Sequence, residues 1–268
     1  MSAQEESATP DPKQRNQYRI ESLAKGLQVL RLFDETTTSL RLREIVERTS
    51  LPMPTAFRIV STLEEEGFLE RSEDGVLHPG VAVLMLGSAA LRGSSLVQAS
   101  ERPLRTLAQA TGETVNLGVL QGDEVLYLVR LRNADLVTAN IQVGSTLPAA
   151  FTSMGKVLLA YLSADELAVR IPDATFGAGQ GPNAVTSRAA LETQLREIRS
   201  QGYAIQDQEL ALGLRSVAVP VFAGGPQPVA AINVAVSVSR HDVDALRGPL
   251  LERVIAAAHE IGLRLAAA

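Results

Sequence analysis

The stretch LREIVERTSLPMPTAFRIVSTLEEEG, residues 42–67, decides how this chain is read. Leu42, Ile45, Val46 and Thr49 recur at helical spacing and stop at Ser50-Leu51-Pro52, a turn signal. Pro54 suits the first position of a second helix, because its missing N–H would have no intrahelical partner there anyway. Ala56, Ile59, Val60 and Leu63 form the expected inward stripe, which leaves Met53, Thr55, Arg58, Ser61 and Thr62 near the other face. Gly67 stops the helix. Phe68-Leu69-Glu70-Arg71 and Val76-Leu77-His78 then flank a turn at residues 72–75, whose Asp74-Gly75 suits a tight hairpin. With a helix expected over residues 22–34, residues 39–78 read as a winged helix-turn-helix.

That arrangement fits duplex DNA, since a major groove admits one helix, held by a shorter one that crosses the backbone behind it. Arg58 is the expected reader: its planar guanidinium can donate two hydrogen bonds to a guanine edge or pair with a phosphate, and the Thr55 and Ser61 hydroxyls can reach bases or backbone. Arg41 and Arg43 stand where small capping residues are usual and offer phosphate contacts instead. Arg71, in the wing, completes the expected DNA-binding set. A solvated role is the competing reading for each exposed Arg. Residues 15–80 carry nine basic and eleven acidic side chains, net −2, so the domain is not basic as a whole. The acids cluster at residues 64–66 and 70–74, away from Arg41, Arg43 and Arg58. Modest affinity per domain is expected, and with it a dimer using two half-sites.

The 268 residues suggest about two domains, and 46% hydrophobic content suffices for packed cores. The absence of Cys excludes disulfides and thiolate metal sites. A net charge of −5 gives no general affinity for polyanions. Residues 1–17 are polar, contain Pro10 and Pro12, and are expected to be a disordered tail rather than a signal peptide. No run reaches the length of a membrane span, so no membrane partner and a cytoplasmic location are expected.

Residues 18–79 are therefore expected to form the DNA-binding domain, 80–93 a linker helix and 94–268 a second domain. The apolar side chains Val83, Leu84, Leu86 and Leu91 exceed what a linker needs, and are expected either to pack on a partner subunit or the first domain, or to be ordinary intrachain core. A helix over 96–110 ends at Gly112. Strand-like runs follow at 114–120 and 125–131, joined by a hairpin, with a third strand expected over 136–143. Helices at 153–162 and 188–201, strands at 203–207, 216–222 and 229–238, and a closing helix over 243–265 complete the reading. The expected fold class is α+β, with a mainly antiparallel sheet.

Several separated motifs together resemble the IclR family of transcriptional regulators over residues 19–265. They are Ile20-Glu21-Ser22-Leu23-Ala24-Lys25-Gly26-Leu27, then Leu51-Pro52 through Arg58, Thr62-Leu63 and Glu66-Gly67-Phe68. In the second half they are residues 152–160, Gly202-Tyr203 with Asp207-Gln208-Glu209, and residues 213–221. The resemblance implies a GAF-like effector domain, dimers or tetramers, and a small organic acid bound beside the sheet. The version of the motifs is most similar to the branch that controls aromatic-acid catabolism, including the protocatechuate and β-ketoadipate route, which implies an aromatic carboxylate or a related dicarboxylate.

Carried over residue by residue, the resemblance assigns effector contacts to Ser153, Met154, Asp207, Ser216, Ser237 and Ser239, with Glu209 a further candidate. Unpaired N–H groups at the start of the helix at Ser153 would favour a carboxylate, and hydroxyls serve a carboxylate without adding charge. Phe151 and Tyr127 could supply apolar wall and Arg130 a charge partner, against the plainer readings of core aromatics and a surface Arg. Without the family, Ser237 and Ser239 share a strand face, as do Asp207 and Glu209, and both patterns also suit an ordinary solvated strand end. Met53, Pro54 and Ser50 depart from the family's usual basic, hydroxyl and Gly residues, so the start of the reading helix lacks the side chains with which the family contacts phosphate there.

Two rivals compete. One is an enzyme or carrier of small acids with an accessory winged helix. Against it, His78, His241 and His259 are scattered without metal-ligand spacing, no phosphate loop or catalytic signature is present, and neither cofactor nor metal is expected. The other is a purely protein-binding winged helix, favoured by the Glu-rich end of the reading helix.

Overall fold

The computed structural model describes residues 18–34, 36–132, 141–177 and 181–267, so the expected tail at 1–17 lies outside the described residues. The chain divides into two compact units, Met1–Ala90 and Leu91–Ala268.

In the first unit, α1 (Glu21–Leu30), α2 (Leu42–Thr49) and α3 (Met53–Glu65) precede the antiparallel strands β1 (Leu69–Arg71) and β2 (Leu77–Pro79). The first helix stops at Leu30, four residues short of the expected end, and Arg31 caps it. Val29, Ile45, Leu51, Ala56, Val60, Leu69 and Leu77 make the core, and Leu40 pairs with Leu77 as an isolated bridge that extends the wing. Ile59 and Leu63, expected inside, are only half-buried. Ser50 ends α2 in a left-handed conformation with φ 56°, a geometry in which Gly is usual. Helix α4 (Val81–Gly93) spans the division between the units and has no buried residue; Leu84, Met85 and Leu86 are among its exposed side chains.

In the second unit α5 (Ser95–Thr111) starts at Ser94, whose hydroxyl accepts from the Val97 N–H, and ends at left-handed Gly112. There follow β3 (Thr114–Gln121), β4 (Glu124–Leu131), β5 (Thr146–Pro148), a single 3-10 turn at Ala149–Phe151, and α6 (Ser153–Leu159). Then come α7 (Ala164–Arg170), α8 (Arg188–Gln201), β6 (Ala204–Asp207), β7 (Leu214–Val221), β8 (Ala230–Ser237) and α9 (Pro249–Ala266). The six strands form one sheet in the order β5-β4-β3-β8-β7-β6, every neighbouring pair antiparallel. Alternation divides its side chains between two layers. Val115, Leu117, Val217, Val219, Ile232 and Val234 pack with α5 and α9, while Val125, Tyr127, Ala204, Ala218 and Ala231 pack with α6 and α8. The fold is thus α+β, as expected.

Three elements differ from the sequence reading. Among the described residues the strand after β4 is β5 at Thr146–Pro148, paired with β4; of the expected 136–143, residues 141–143 are not strand and 136–140 lie outside the described residues. The closing helix begins at Pro249 rather than 243, because Gly248-Pro249 sets its first turn. Helix α7 was not anticipated; Ser163 and Glu166 cap it reciprocally. Among the described residues no single helix is long and apolar enough to cross a membrane.

Candidate functional site: a helix-turn-helix face and a buried polar row

The outward face of α3 carries Met53, Pro54, Phe57, Arg58 and Thr62, while Thr55 and Ser61 are half-buried. Among the described residues no partner holds the guanidinium of Arg58 or of Arg43, and both side chains are exposed. The other two basic residues expected at DNA are held by the domain itself. Arg41 donates to the Asp74 carbonyl at 2.9 Å and pairs with its carboxylate at 3.5 Å, which ties the wing turn to the start of α2. Arg71 grips Glu64 through Nε and a terminal nitrogen at 2.7 and 2.8 Å, and this bonding raises the Arg71 pKa. One of the three glutamates that close α3 is thereby neutralised.

In the second unit, five adjacent strands each place one polar residue in a continuous row on the α6 side of the sheet. Arg130 of β4 donates to Asn116 Oδ1 of β3 at 3.0 Å, and Asn116 Nδ2 donates to Asn233 Oδ1 of β8 at 2.7 Å. Asn233 Nδ2 reaches Ser153 Oγ, at the start of α6, at 3.4 Å; Ser153 Oγ and Ser216 Oγ of β7 are 2.7 Å apart. Gln206 of β6 closes the row. Its amide oxygen is best placed to accept from the Glu209 and Leu210 N–H groups at 2.9 and 3.0 Å, which turns its nitrogen toward Ser216 Oγ at 3.4 Å. Register explains the line: Asn116 stands opposite both Arg130 and Asn233, and Gln206 opposite Ser216.

A bulge decides which way Arg130 points. Tyr127 and Arg130 are three residues apart and would face opposite sides of a regular strand, but the pairing shifts between Leu117 and Gly118, and both line the same small cavity. Burial raises the Tyr127 pKa and lowers that of Arg130, yet a guanidinium remains charged at neutral pH. The cavity measures about 20 Å³ and is bounded also by Ile141, Thr152 and Leu210.

Helix α6 is held in place on both sides. The Thr152 hydroxyl accepts from the Gly155 N–H at 3.1 Å. A Cβ on Gly155 would lie 2.2 Å from Ala149 O and 2.3 Å from its Cα, so only Gly lets the helix start this close to the preceding turn. Lys156, almost completely buried, pairs with the Glu209 carboxylate and donates to Gln194 Oε1 of α8 at 2.6 Å. Burial pushes the Lys156 pKa down and the Glu209 pKa up, each opposed by the partner's charge.

Of the effector residues expected from sequence, Ser153, Ser216, Tyr127 and Arg130 meet at this row or its cavity. Asp207 does not: it faces the opposite side, where Arg215 Nε donates to it at 2.6 Å. Glu209 does not share its face, because Gln208 between them takes φ 56° and breaks the alternation, and Glu209 is committed to Lys156. Ser237 and Ser239 bond each other at 2.9 Å in an exposed turn where β8 ends. Phe151 packs edge-on to Phe176 at 6.3 Å, and Met154 is core. His241 contacts Glu113 at 3.0 Å. Asn116, Gln206, Asn233 and Lys156 were missed. The signal was present: each is a polar residue inside an otherwise apolar run, and a polar group that is buried needs a partner.

The two halves match two family models, one described as the IclR helix-turn-helix domain over residues 22–73, the other as bacterial transcriptional regulator IclR C-terminal over 88–263. The chain is 32% identical over 242 residues to the Pca regulon regulatory protein of Pseudomonas putida, covering 90% of this chain and 82% of that one. An IclR family transcriptional regulator from Brucella abortus superposes with a TM-score of 0.80 at 26% identity, covering 94% and 95%. An IclR homolog from Microbacterium hydrocarbonoxydans, solved with 4-hydroxybenzoate, gives 0.74 at 28% identity, covering 92% and 100%. These relatives are regulators and not enzymes, and the chain belongs to the IclR family of bacterial transcriptional regulators.

Proposed function

We propose that this protein is a ligand-responsive regulator that controls a catabolic operon in the cytoplasm, and that its ligand is a small organic acid, an aromatic carboxylate or a dicarboxylate derived from one. The observation that carries the acid is the row from Arg130 to Gln206. It joins one buried-edge cation to five neutral polar side chains, while the nearby Glu209 carboxylate is already offset by Lys156. A carboxylate beside Arg130, or at the Ser153 and Ser216 hydroxyls, would replace interactions that these groups now make with one another. The 4-hydroxybenzoate held by the Microbacterium homolog and the P. putida relative's link to the Pca regulon support the aromatic class.

Volume connects binding to regulation. A space of about 20 Å³ holds a single water, whereas roughly 150 Å³ is needed to admit a benzene ring. A ligand must therefore displace lining such as Leu210 and Ile141. Such a ligand favours an expanded conformation by its differential affinity, which is the requirement for allosteric control. The exposed Leu84, Met85 and Leu86 of α4 support a homodimer or tetramer that brings two reading helices to paired half-sites.

Two variants separate the parts of this reading. Ser216→Ala is expected to reduce the thermal shift produced by an acid while leaving basal DNA binding intact; an unchanged titration contradicts the assigned site. Arg58→Ala is expected to weaken DNA binding by about 1–3 kcal/mol, measured by anisotropy with a labelled duplex. Full retention of affinity would remove Arg58 from the interface, whereas the expected loss counts against a purely protein-binding winged helix.

A further inference from the structure

We propose that the reading helix recognises the 5-methyl group of thymine through Phe57, with Met53 beside it, so that part of the operator's sequence is read by apolar contact. The proposal rests on α3 entering DNA. Phe57 is 53% exposed and Met53 43% exposed, and with Pro54 and Arg58 they make up the outward surface of the helix's first two turns. Apart from Arg58, the residues that could read bases by hydrogen bonding are less available: Thr55 and Ser61 are half-buried, and the Thr62 hydroxyl already donates to the Arg58 carbonyl at 2.9 Å. The surface presented to a groove is therefore mostly carbon, at the N-terminal end of the helix that contacts base edges in this motif.

Only one base offers a methyl in return. In the major groove thymine alone presents a methyl, on C5; cytosine has only a hydrogen there, and the purines present hydrogen-bonding groups. Charge favours DNA over a second copy of this chain as the occupant. Arg58 adjoins Phe57 with no partner among the described residues, so the patch has a cationic edge suited to phosphate or to guanine. Arg43 is likewise exposed and unpaired within the described unit.

The test begins with the full-length protein and a pool of randomised duplexes, from which the bound consensus is recovered. That duplex is then synthesised with deoxyuridine replacing thymidine at each position in turn, a change that removes only the major-groove methyl. One or two positions per half-site are expected to lose affinity by about fourfold, since burying a methyl contributes about 0.8 kcal/mol. Phe57→Ala is expected to bind thymine and uracil duplexes equally, and Phe57→Leu to restore much of the difference. Equal affinity of the wild-type protein for both duplexes overturns the proposal while leaving DNA binding in place. Failure to enrich any duplex overturns both. A Phe57→Ala variant that changes oligomeric state while keeping its thymine preference assigns the patch to a second copy and also overturns it.

Discussion

Lys156→Met is expected to lower the stability of the C-terminal unit by about 3–5 kcal/mol, the usual consequence of leaving one member of a buried ion pair alone. The ammonium is almost inaccessible, and its carboxylate partner Glu209 is buried as well. Removing Lys156 therefore strands a carboxylate beside Gln194 and the apolar side chains of α6, and for a unit of this size a fall in Tm on the order of 10 °C follows. The deficit should depend on pH. Glu209 titrates near 4.5 when unfolded, and burial already raises it in the native protein; without Lys156 nothing offsets that effect. A native pKa above the unfolded one means that the native state binds the proton more tightly, so the deficit is smallest at or below about pH 4.5 and widens as pH rises. Lys156→Met combined with Glu209→Leu should recover most of the loss, because it removes both charges. Thermal melts from pH 4.5 to 8 check this. A single variant as stable as the parent at every pH would contradict a buried pair.

Gly155→Val is expected to have the second large effect, a destabilisation of about 3 kcal/mol together with loss of any response to acid. Its first side-chain carbon would stand 2.2 Å from the Ala149 carbonyl oxygen. The obstacle is the Ala149 main chain, so no rotamer change relieves it. The start of α6 would have to move, carrying Ser153 away from Ser216 and Asn233, to which it lies 2.7 and 3.4 Å distant. Gly26→Ala in α1 is the matched control. Nothing lies within 4 Å of the Cβ it adds, and replacing a helical Gly should stabilise by about 1 kcal/mol. Denaturant titrations of the two variants should give shifts of opposite sign.

Local periodicity and turn chemistry made the first unit legible. Pro54 and Gly67 bracket the reading helix, and Asp74-Gly75 marks the wing. In the second unit the β3–β4 hairpin and the α8 helix follow the sequence closely. What sequence could not supply was side-chain direction after an irregularity. The bulge at Leu117 and Gly118 turns Arg130 toward Tyr127, and the left-handed Gln208 separates Asp207 from Glu209. In Ala204–Asp207 the acid drew attention, but alternation puts its neighbour Gln206 into the row. In β8 the hydroxyl pattern of Ser237 and Ser239 stands out at the strand end, whereas Asn233 lies in the middle of an apolar run. Contacts between distant segments were equally hidden: Lys156 and Glu209 lie 53 residues apart, and Asn116 and Asn233 lie 117 apart. Each can be recognised as a polar residue in an apolar context, but its partner emerges only once the strands are ordered.

The most direct test of a ligand-responsive regulator is the affinity of the full-length protein for its recovered duplex, measured by anisotropy while 4-hydroxybenzoate and a panel of related aromatic and dicarboxylic acids are titrated. At least one acid is expected to change the DNA dissociation constant about 5- to 150-fold, and by reciprocity DNA should change the affinity for that acid by the same factor. That effect should diminish in Ser216→Ala. If every acid leaves DNA affinity unchanged, or if the responsive acid acts equally on Ser216→Ala, the polar row is not the regulatory site and the central claim fails.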